Sequence, residues 1–279
     1  MIENYEGRLS VEGRCEVLGV SPSGYYAWRK REPSQRQRED VQLGLQIEQV
    51  FEDSRRTYGS YRIYQALRKV GIHTSQKRVA RLMRQRGLRS IRARKRRYGL
   101  TKAAANAYMV PNLLSQNFTA SRTNEKWVAD TTYIPTREGW LYLVSVLDLY
   151  SRQIVGWAMG EHHNAELARA ALDMAIQHQR PRPGLILHSD RGTEFANACF
   201  QTRAHQARIR LSMSGKGNCY DNAVAESFFA TLKLEAVQGL VFASKQHAKL
   251  ELFDYIEVFY NRQRLHSSLG FECPAHYAA

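Results

Sequence analysis

Residues 127–159 read WVADTTYIPTREGWLYLVSVLDLYSRQIVGWAM, three β-type runs separated by short turns. Trp127 to Pro135, Trp140 to Tyr150 and Gln153 to Met159 are rich in β-branched and aromatic residues, and the connections between them suit tight reversals. An antiparallel meander is predicted. Asp130 interrupts the apolar neighbours of the first run, where a carboxylate is costly to bury without a counter-ion.

Towards the C-terminus, Ala165 to Gln179 has helical periodicity through Leu167, Ala171, Leu172 and Ile176. Pro181 to Gly184 leads into the apolar run LILHS, and Asp190 follows it at a strand's C-terminal end, the usual place for a site in an α/β sheet. Thr193 to Ala207 reads as a helix and Ile209 to Met213 as a short strand. Ser212 to Lys233, SMSGKGNCYDNAVAESFFATLK, is a glycine-rich loop running into an amphipathic helix whose one acid is Glu226. Asp221 or Asn222 is expected to cap that helix, and Gly215 to Gly217 to form a mobile loop. The order βββαβαβα predicts a mixed sheet flanked by helices. Leu252, Tyr255, Ile256, Phe259 and Tyr260 form a further helical stripe, more often core than contact surface.

Towards the N-terminus the composition changes. Of the net charge of +15, residues 1–110 carry +14 (24 Lys and Arg against 10 Asp and Glu) and residues 111–279 carry +1 (17 against 16). A basic arm on an almost neutral body points to a polyanionic partner. In the first part of that arm Val11, Cys15 and Leu18 share a helical face, Gly19 stops it, and Ser21-Pro22 restarts it. Tyr25, Tyr26 and Trp28 are expected to pack the second helix. The pattern fits an ordinary helical hairpin as well as a DNA reader. After a polar stretch, Glu32 to Asp40, the apolar faces Ile47/Val50/Phe51 and Tyr61/Tyr64/Leu67 precede a helix from Gln76 to Arg86, capped by Thr74 or Ser75. Its Val79, Leu82 and Met83 face inward, which leaves Lys77, Arg78, Arg81, Arg84 and Arg86 for solvent or a DNA groove. The run Arg89 to Arg97, RSIRARKRR, cannot bury anything and reads as a phosphate-contacting tether.

The four cysteines are too scattered for a CxxC pair, and no run of 18 apolar residues or signal-like start occurs. Reduced thiols, no membrane association and a bacterial, nucleoid-associated cytoplasmic location are expected. His162 and His163 lack the nearby cysteines a zinc site would use.

Asp130, Asp190 and Glu226 are separated by 59 and 35 residues. Together with the words WVADTTYI, LHSDRGTEF, SMSGKGNCYDNAVAESFFATLK, YNRQRLHSSLGFECP and VLGVSPSGYYAW, they resemble the DDE triad of retroviral-integrase-like transposases. The wording is similar to that of the second-frame protein of the IS3 family of bacterial insertion sequences, over nearly the whole chain. The resemblance implies an α/β fold with a ribonuclease H-like (retroviral integrase-like) catalytic core behind a helix-turn-helix DNA-binding region. The expected layout is a helix-turn-helix in 1–35, a second with its basic tether in 40–97, a linker in 98–119, the DDE core in 120–238 and a helical tail in 239–279.

It further implies a DDE transposase that cleaves 3′ ends of its element and transfers them to target DNA. Two Mg²⁺ ions, with Mn²⁺ as a substitute, would be held by Asp130 (bridging), Asp190 and Glu226, since magnesium takes oxygen ligands and phosphodiester exchange needs charge relief at both oxygens. Lys233, seven residues beyond Glu226 on the same helical face, would meet a phosphate, or is a plain surface lysine. His188, on the face of Asp190, would orient water or phosphate, or is a packed histidine. Lys216 and the basic residues Lys77, Arg78, Arg81, Arg84, Arg94, Lys95, Arg96 and Arg97 complete the expected DNA contacts. The implied partners are the terminal inverted repeats, target DNA, further copies of the chain in the DNA complex, and the upstream-frame product as a frameshift fusion. A non-catalytic regulator competing for element ends and a ribonuclease H-like nuclease without joining are the alternatives. The chain departs from the family at Glu194, usually Gln, which adds negative charge near the metals, and at Cys273, usually Ser.

Overall fold

The computed structural model describes residues 9–91, 110–215 and 219–279. Five helices come first: α1 (Val11–Val17), α2 (Pro22–Lys30), α3 (Gln35–Asp53), α4 (Ser60–Lys69) and α5 (Gln76–Gln85). Serines start four of them, because a serine hydroxyl can take up an amide of the first turn that has no partner within the helix. Ser10, Ser21, Ser34 and Ser75 accept from Gly13, Gly24, Gln37 and Arg78, and Ser34 forms a reciprocal capping box with Gln37. Helix α3 therefore begins inside the polar stretch Glu32 to Asp40. Gly19, Gly71 and Gly87 follow α1, α4 and α5 with positive φ, as a helix stop requires.

The aromatic expectations need correction. Tyr25 is buried but Tyr26 and Trp28 are exposed, Trp28 by 61%, so α1 and α2 make a thin pair rather than a packed unit. In α4 the inward face is Ile63 and Leu67, which leaves Tyr61 exposed beside the ring of Phe271.

The body is one five-stranded sheet in the order β3-β2-β1-β4-β5, with β1 (Lys126–Thr136), β2 (Gly139–Asp148), β3 (Ile154–Gly160), β4 (Ile186–Ser189) and β5 (Arg210–Met213). The meander β1-β2-β3 is antiparallel, whereas β4 joins β1 and β5 joins β4 in parallel. Parallel neighbours need crossovers, supplied by α6 (Ala165–Gln179) and then by α7 (Thr193–Ala196) with α8 (Ala198–Gln206). The single helix expected over 193–207 is thus two, broken at Asn197, whose extended backbone and side chain cap α8.

Alternation along the strands sends side chains to two cores. Trp127, Ala129, Val144, Val146 and Val155 meet α6 and α8. Helix α6 lies close on β3 because a side chain at Gly156 would stand 2.3 Å from the carbonyl of Ala171. Val128, Ile134, Leu141, Leu143 and Leu147 meet α9 (Ala223–Leu232), α10 (Lys245–Phe253) and the π-helical segments that continue them, Lys233–Val237 and Asp254–Tyr260. A short α11 (Pro274–Ala278) ends the chain.

This second core also takes in Leu43, Ile47, Phe51, Tyr58, Ile63, Leu67, Val79 and Leu82 of α3–α5 and the loop between them. The basic unit is fused to the body rather than hung from it. Leu265 N donates to Tyr58 Oη over 2.6 Å, Lys69 pairs with Glu272 at 2.6 Å, and Arg55 pairs with Asp254.

Candidate active site

Strand register brings the first two acids together. Parallel pairing sets Ala129 opposite Ser189, so Asp130 and Asp190 are the next residues along the two neighbouring segments, at the point where β4 ends. Thr131 N donates to Asp130 Oδ1 at 2.8 Å and Gly192 N to Asp190 Oδ1 at 2.9 Å, which orients both carboxylates. Helix α9 packs its Ala225, Phe228, Phe229 and Leu232 inward and carries Glu226 in its first turn, exposed and where the helix dipole favours an acid.

Electrostatics single out the same three residues. Burial, then the charge of Asp190, push the Asp130 carboxyl well above the usual range, and Glu226 and Glu194 add to the effect. Burial raises Asp190 as well; the Gly192 amide opposes the rise, and Glu194 and Glu226 add to it. Partial burial raises Glu226. No salt bridge to any of the three occurs among the described residues. Also among them, no three His, Cys, Asp or Glu side chains stand close enough to hold a metal ion. The acids are neighbours in this conformation without sharing one ligand sphere. Their chemistry fits a divalent cation nonetheless, because the donors are oxygens that form no salt bridge among the described residues, and the charge of Asp190 disfavours that of Asp130.

Around them the structure adds residues that sequence reasoning missed or read otherwise. Glu194 is 3% exposed, with Oε1 taking a bond from Thr131 Oγ1 at 2.9 Å and lying 2.6 Å from His163 Nε2. His163 stacks on Tyr142, its centroid 5.6 Å away. Asn222 starts α9 without a side-chain cap bond; its Nδ2 donates to Ala129 O at 3.5 Å. Asp221 is no cap either, since it accepts from Gly215 N at 2.8 Å and Asn112 Nδ2 at 2.9 Å. Only the β1 alternation, which sends Thr131 to the face opposite Asp130, could have hinted at the Glu194 contact.

The expected DNA contacts divide. Lys77 and Arg84 are exposed on α5. Arg78 and Arg81 are tied to Asp40 of α3, each at 2.7 Å, and these bonds hold the Asp40 carboxyl below the usual range. Lys233 lies with Nζ 4.7 Å from the centre of the Tyr133 ring. His188 is fully buried between Ser212 Oγ (2.8 Å) and Ser214 Oγ (3.2 Å), and burial pushes it down to about 4. It is a neutral, packed histidine here, with no surface to offer DNA. Arg94, Lys95, Arg96, Arg97, Lys216 and most of the expected mobile loop lie outside the described residues.

A meander extended by two parallel strands, with acids at the β1–β4 junction and on the covering helix, is the arrangement of an integrase core. Family models described as an integrase core domain match residues 120–219 and 226–278, and one described as an HTH-like domain matches residues 37–96. The 31 kDa protein of insertion element IS600 from Shigella sonnei is 45% identical over 261 residues, 94% of this chain and 96% of that protein. The transposase InsF of insertion sequence IS3A from Escherichia coli K12 is 40% identical over 275 residues, 96% of this chain and 94% of that protein. The chain belongs to the IS3-family transposases. Among solved structures, a simian T-cell lymphotropic virus intasome is similar at 11% identity and TM-score 0.47, covering 83% of this chain and 74% of that one. The HTLV-2 integrase catalytic core in complex with magnesium is similar at 14% identity and TM-score 0.46, covering 58% of this chain and 100% of that one. No helix among the described residues is long and apolar enough to cross a membrane.

Proposed function

We propose that the chain cleaves the 3′ ends of its insertion sequence and transfers the resulting 3′-OH to target DNA, with Asp130, Asp190 and Glu226 as the ligands of two Mg²⁺ ions. One observation carries the reading: Asp130 and Asp190 follow directly on Ala129 and Ser189, paired residues of parallel strands, neither has a salt bridge among the described residues, and the charge of Asp190 disfavours that of Asp130. When bound, the ions would supply charge relief at the attacking and leaving oxygens of a phosphodiester exchange. Asp130, between the other two acids, would contribute to both ion sites, Asp190 to one and Glu226 to the other. The amides of Thr131 and Gly192 already hold one oxygen of each aspartate, so the remaining oxygen is the one directed to ligands. Glu226 stands exposed on a helix fixed by its buried face, and its side chain would have to turn towards the aspartates.

Water is the nucleophile of the first step and the 3′-OH of the second, without a covalent protein intermediate. Lys233 would take a phosphate beside the acids, and Lys77, Arg84, Lys216 and Arg94 to Arg97 would follow the DNA backbone. Arg78 and Arg81 would first have to leave Asp40. Further copies of the chain, and the upstream-frame product as a fusion, would complete the DNA complex.

The test is an assay on labelled element ends in Mg²⁺. Wild-type protein should give both cut ends and joined products, and Asp190→Asn neither. Binding without any metal-dependent product would favour a regulator of transposition, and cleavage without joining a nuclease.

A further inference from the structure

Glu194 does something the triad does not account for. Its residue is 97% buried by the exposure of 3%, yet Oε2 has no hydrogen-bond partner. An unpaired buried acceptor is costly, and buried carboxylates are normally paired. Oε1, by contrast, is held by Thr131 Oγ1 from β1 and by His163 from the approach to α6, and that ring is fixed against Tyr142 of β2. Three elements thus lock one oxygen and leave the other unanswered.

The whole carboxylate lies against Gly192, with Oε2 the nearer oxygen. A Cβ built on Gly192 would stand 2.4 Å from Glu194 Oε2, and the amide of Gly192 donates to Asp190 Oδ1 at 2.9 Å. One glycine therefore separates Oε2 from the Asp190 carboxylate, and the charge of Glu194 is felt at both Asp190 and Asp130. His163 answers Oε1 of this buried acid, and Oε2 alone is left without a partner.

Resting on the proposed role of Asp190, we propose that Glu194 is a fourth carboxylate of the cation site, its Oε2 turned to the ion at Asp190 and its Oε1 anchored by Thr131 and His163. The absence of side chain at position 192 is what lets that carboxylate approach. Glu194 strengthens cation binding as a ligand and does not touch the reacting phosphate.

The test is a Mn²⁺ titration of the full chain, followed by the electron paramagnetic resonance signal of free Mn²⁺, with melting measured in the absence of cation. Glu194→Gln should bind Mn²⁺ about tenfold more weakly, as loss of a supporting group around a metal typically does. Its cation-free melting temperature should hold or rise, because a like charge is removed while the Oε1 position keeps its donors; a merely structural glutamate would lower it and leave Mn²⁺ affinity unchanged. Asp190→Asn should lose binding. If Asp190→Asn fails to bind and Glu194→Gln binds as wild type, the inference is overturned and the reading of the triad stands; if Asp190→Asn binds normally, both fall. Should Glu194→Gln melt lower, His163→Phe decides, since it keeps the carboxylate and removes its anchor: weakened Mn²⁺ binding supports the inference and wild-type affinity overturns it.

Discussion

Lys233 stands where helix α9 ends at Leu232 and the backbone widens into a π-helical turn, with its ammonium 4.7 Å from the centre of the Tyr133 ring. Tyr133 is exposed and meets Trp140 edge to face at 4.9 Å, so the cation rests on an aromatic ledge. Lys233→Ala should reduce strand transfer by about tenfold, the order of one lost phosphate contact, with little change in melting temperature. Equal joining by the variant would return Lys233 to the surface. At this scale the three acids were legible as candidates because they fell at fixed spacings inside long, specific words. The ledge was not, because Tyr133 and Lys233 are brought together only by the packing of α9 on β1. Glu194 was legible as a departure, but its anchors Thr131 and His163 come from two other elements. His188 looked like a site residue from its two-residue spacing to Asp190; the serines that enclose it lie on and just beyond β5, and no local pattern announces them.

Among the elements, the C-terminal helices matter most for holding α9 in place. Arg264 Nε and Nη2 donate to the two oxygens of Glu235, both at 2.7 Å, and Tyr255 Oη donates to Oε2 at 2.9 Å, with both charged residues about 95% buried by exposures of 4% and 5%. Arg264→Met would leave the Glu235 carboxylate buried and alone, at a cost of about 3–5 kcal/mol. Urea denaturation should show a lower midpoint, and a midpoint like wild type for Arg264→Met would contradict the role of the pair. The stripe Leu252 to Tyr260 announced a core helix in sequence, and it is one. The ion pair did not, since its members lie 29 residues apart and each alone reads as a surface charge. Asn261 is similar: its side chain bonds both N and O of Ile154, each at 2.9 Å, stitching the tail to the edge strand β3.

For the whole molecule, the main surprise is that the basic unit α3–α5 shares its core with the tail. Charge distribution marked residues 1–110 as an arm, but charge is a surface property and says nothing of the apolar faces beneath. His266 sits at this junction, bonded through Nε2 to Tyr260 Oη at 3.2 Å and through Nδ1 to Ser268 Oγ at 3.3 Å, with its backbone paired to Glu272. Burial, then the charges of Arg264, Arg62 and Arg152, push it down to about 3. The unfolded chain therefore binds the proton more readily between about pH 6.5 and 3, so this contribution to stability is complete above about pH 6.5 and is lost as the pH falls towards 3. Melting curves should show that decline, and His266→Gln should flatten it; an unchanged slope would remove His266 as the cause. The account as a whole rests on three acids acting as one site on a fold held together from both ends. Its most direct test is the joining of a pre-cut element end to target DNA in Mg²⁺, which bypasses cleavage. Asp130→Asn, Asp190→Asn and Glu226→Gln should each lose about a hundredfold or more of the wild-type joining rate while binding the end as well as wild type, and near-normal joining by any one of them would contradict the triad.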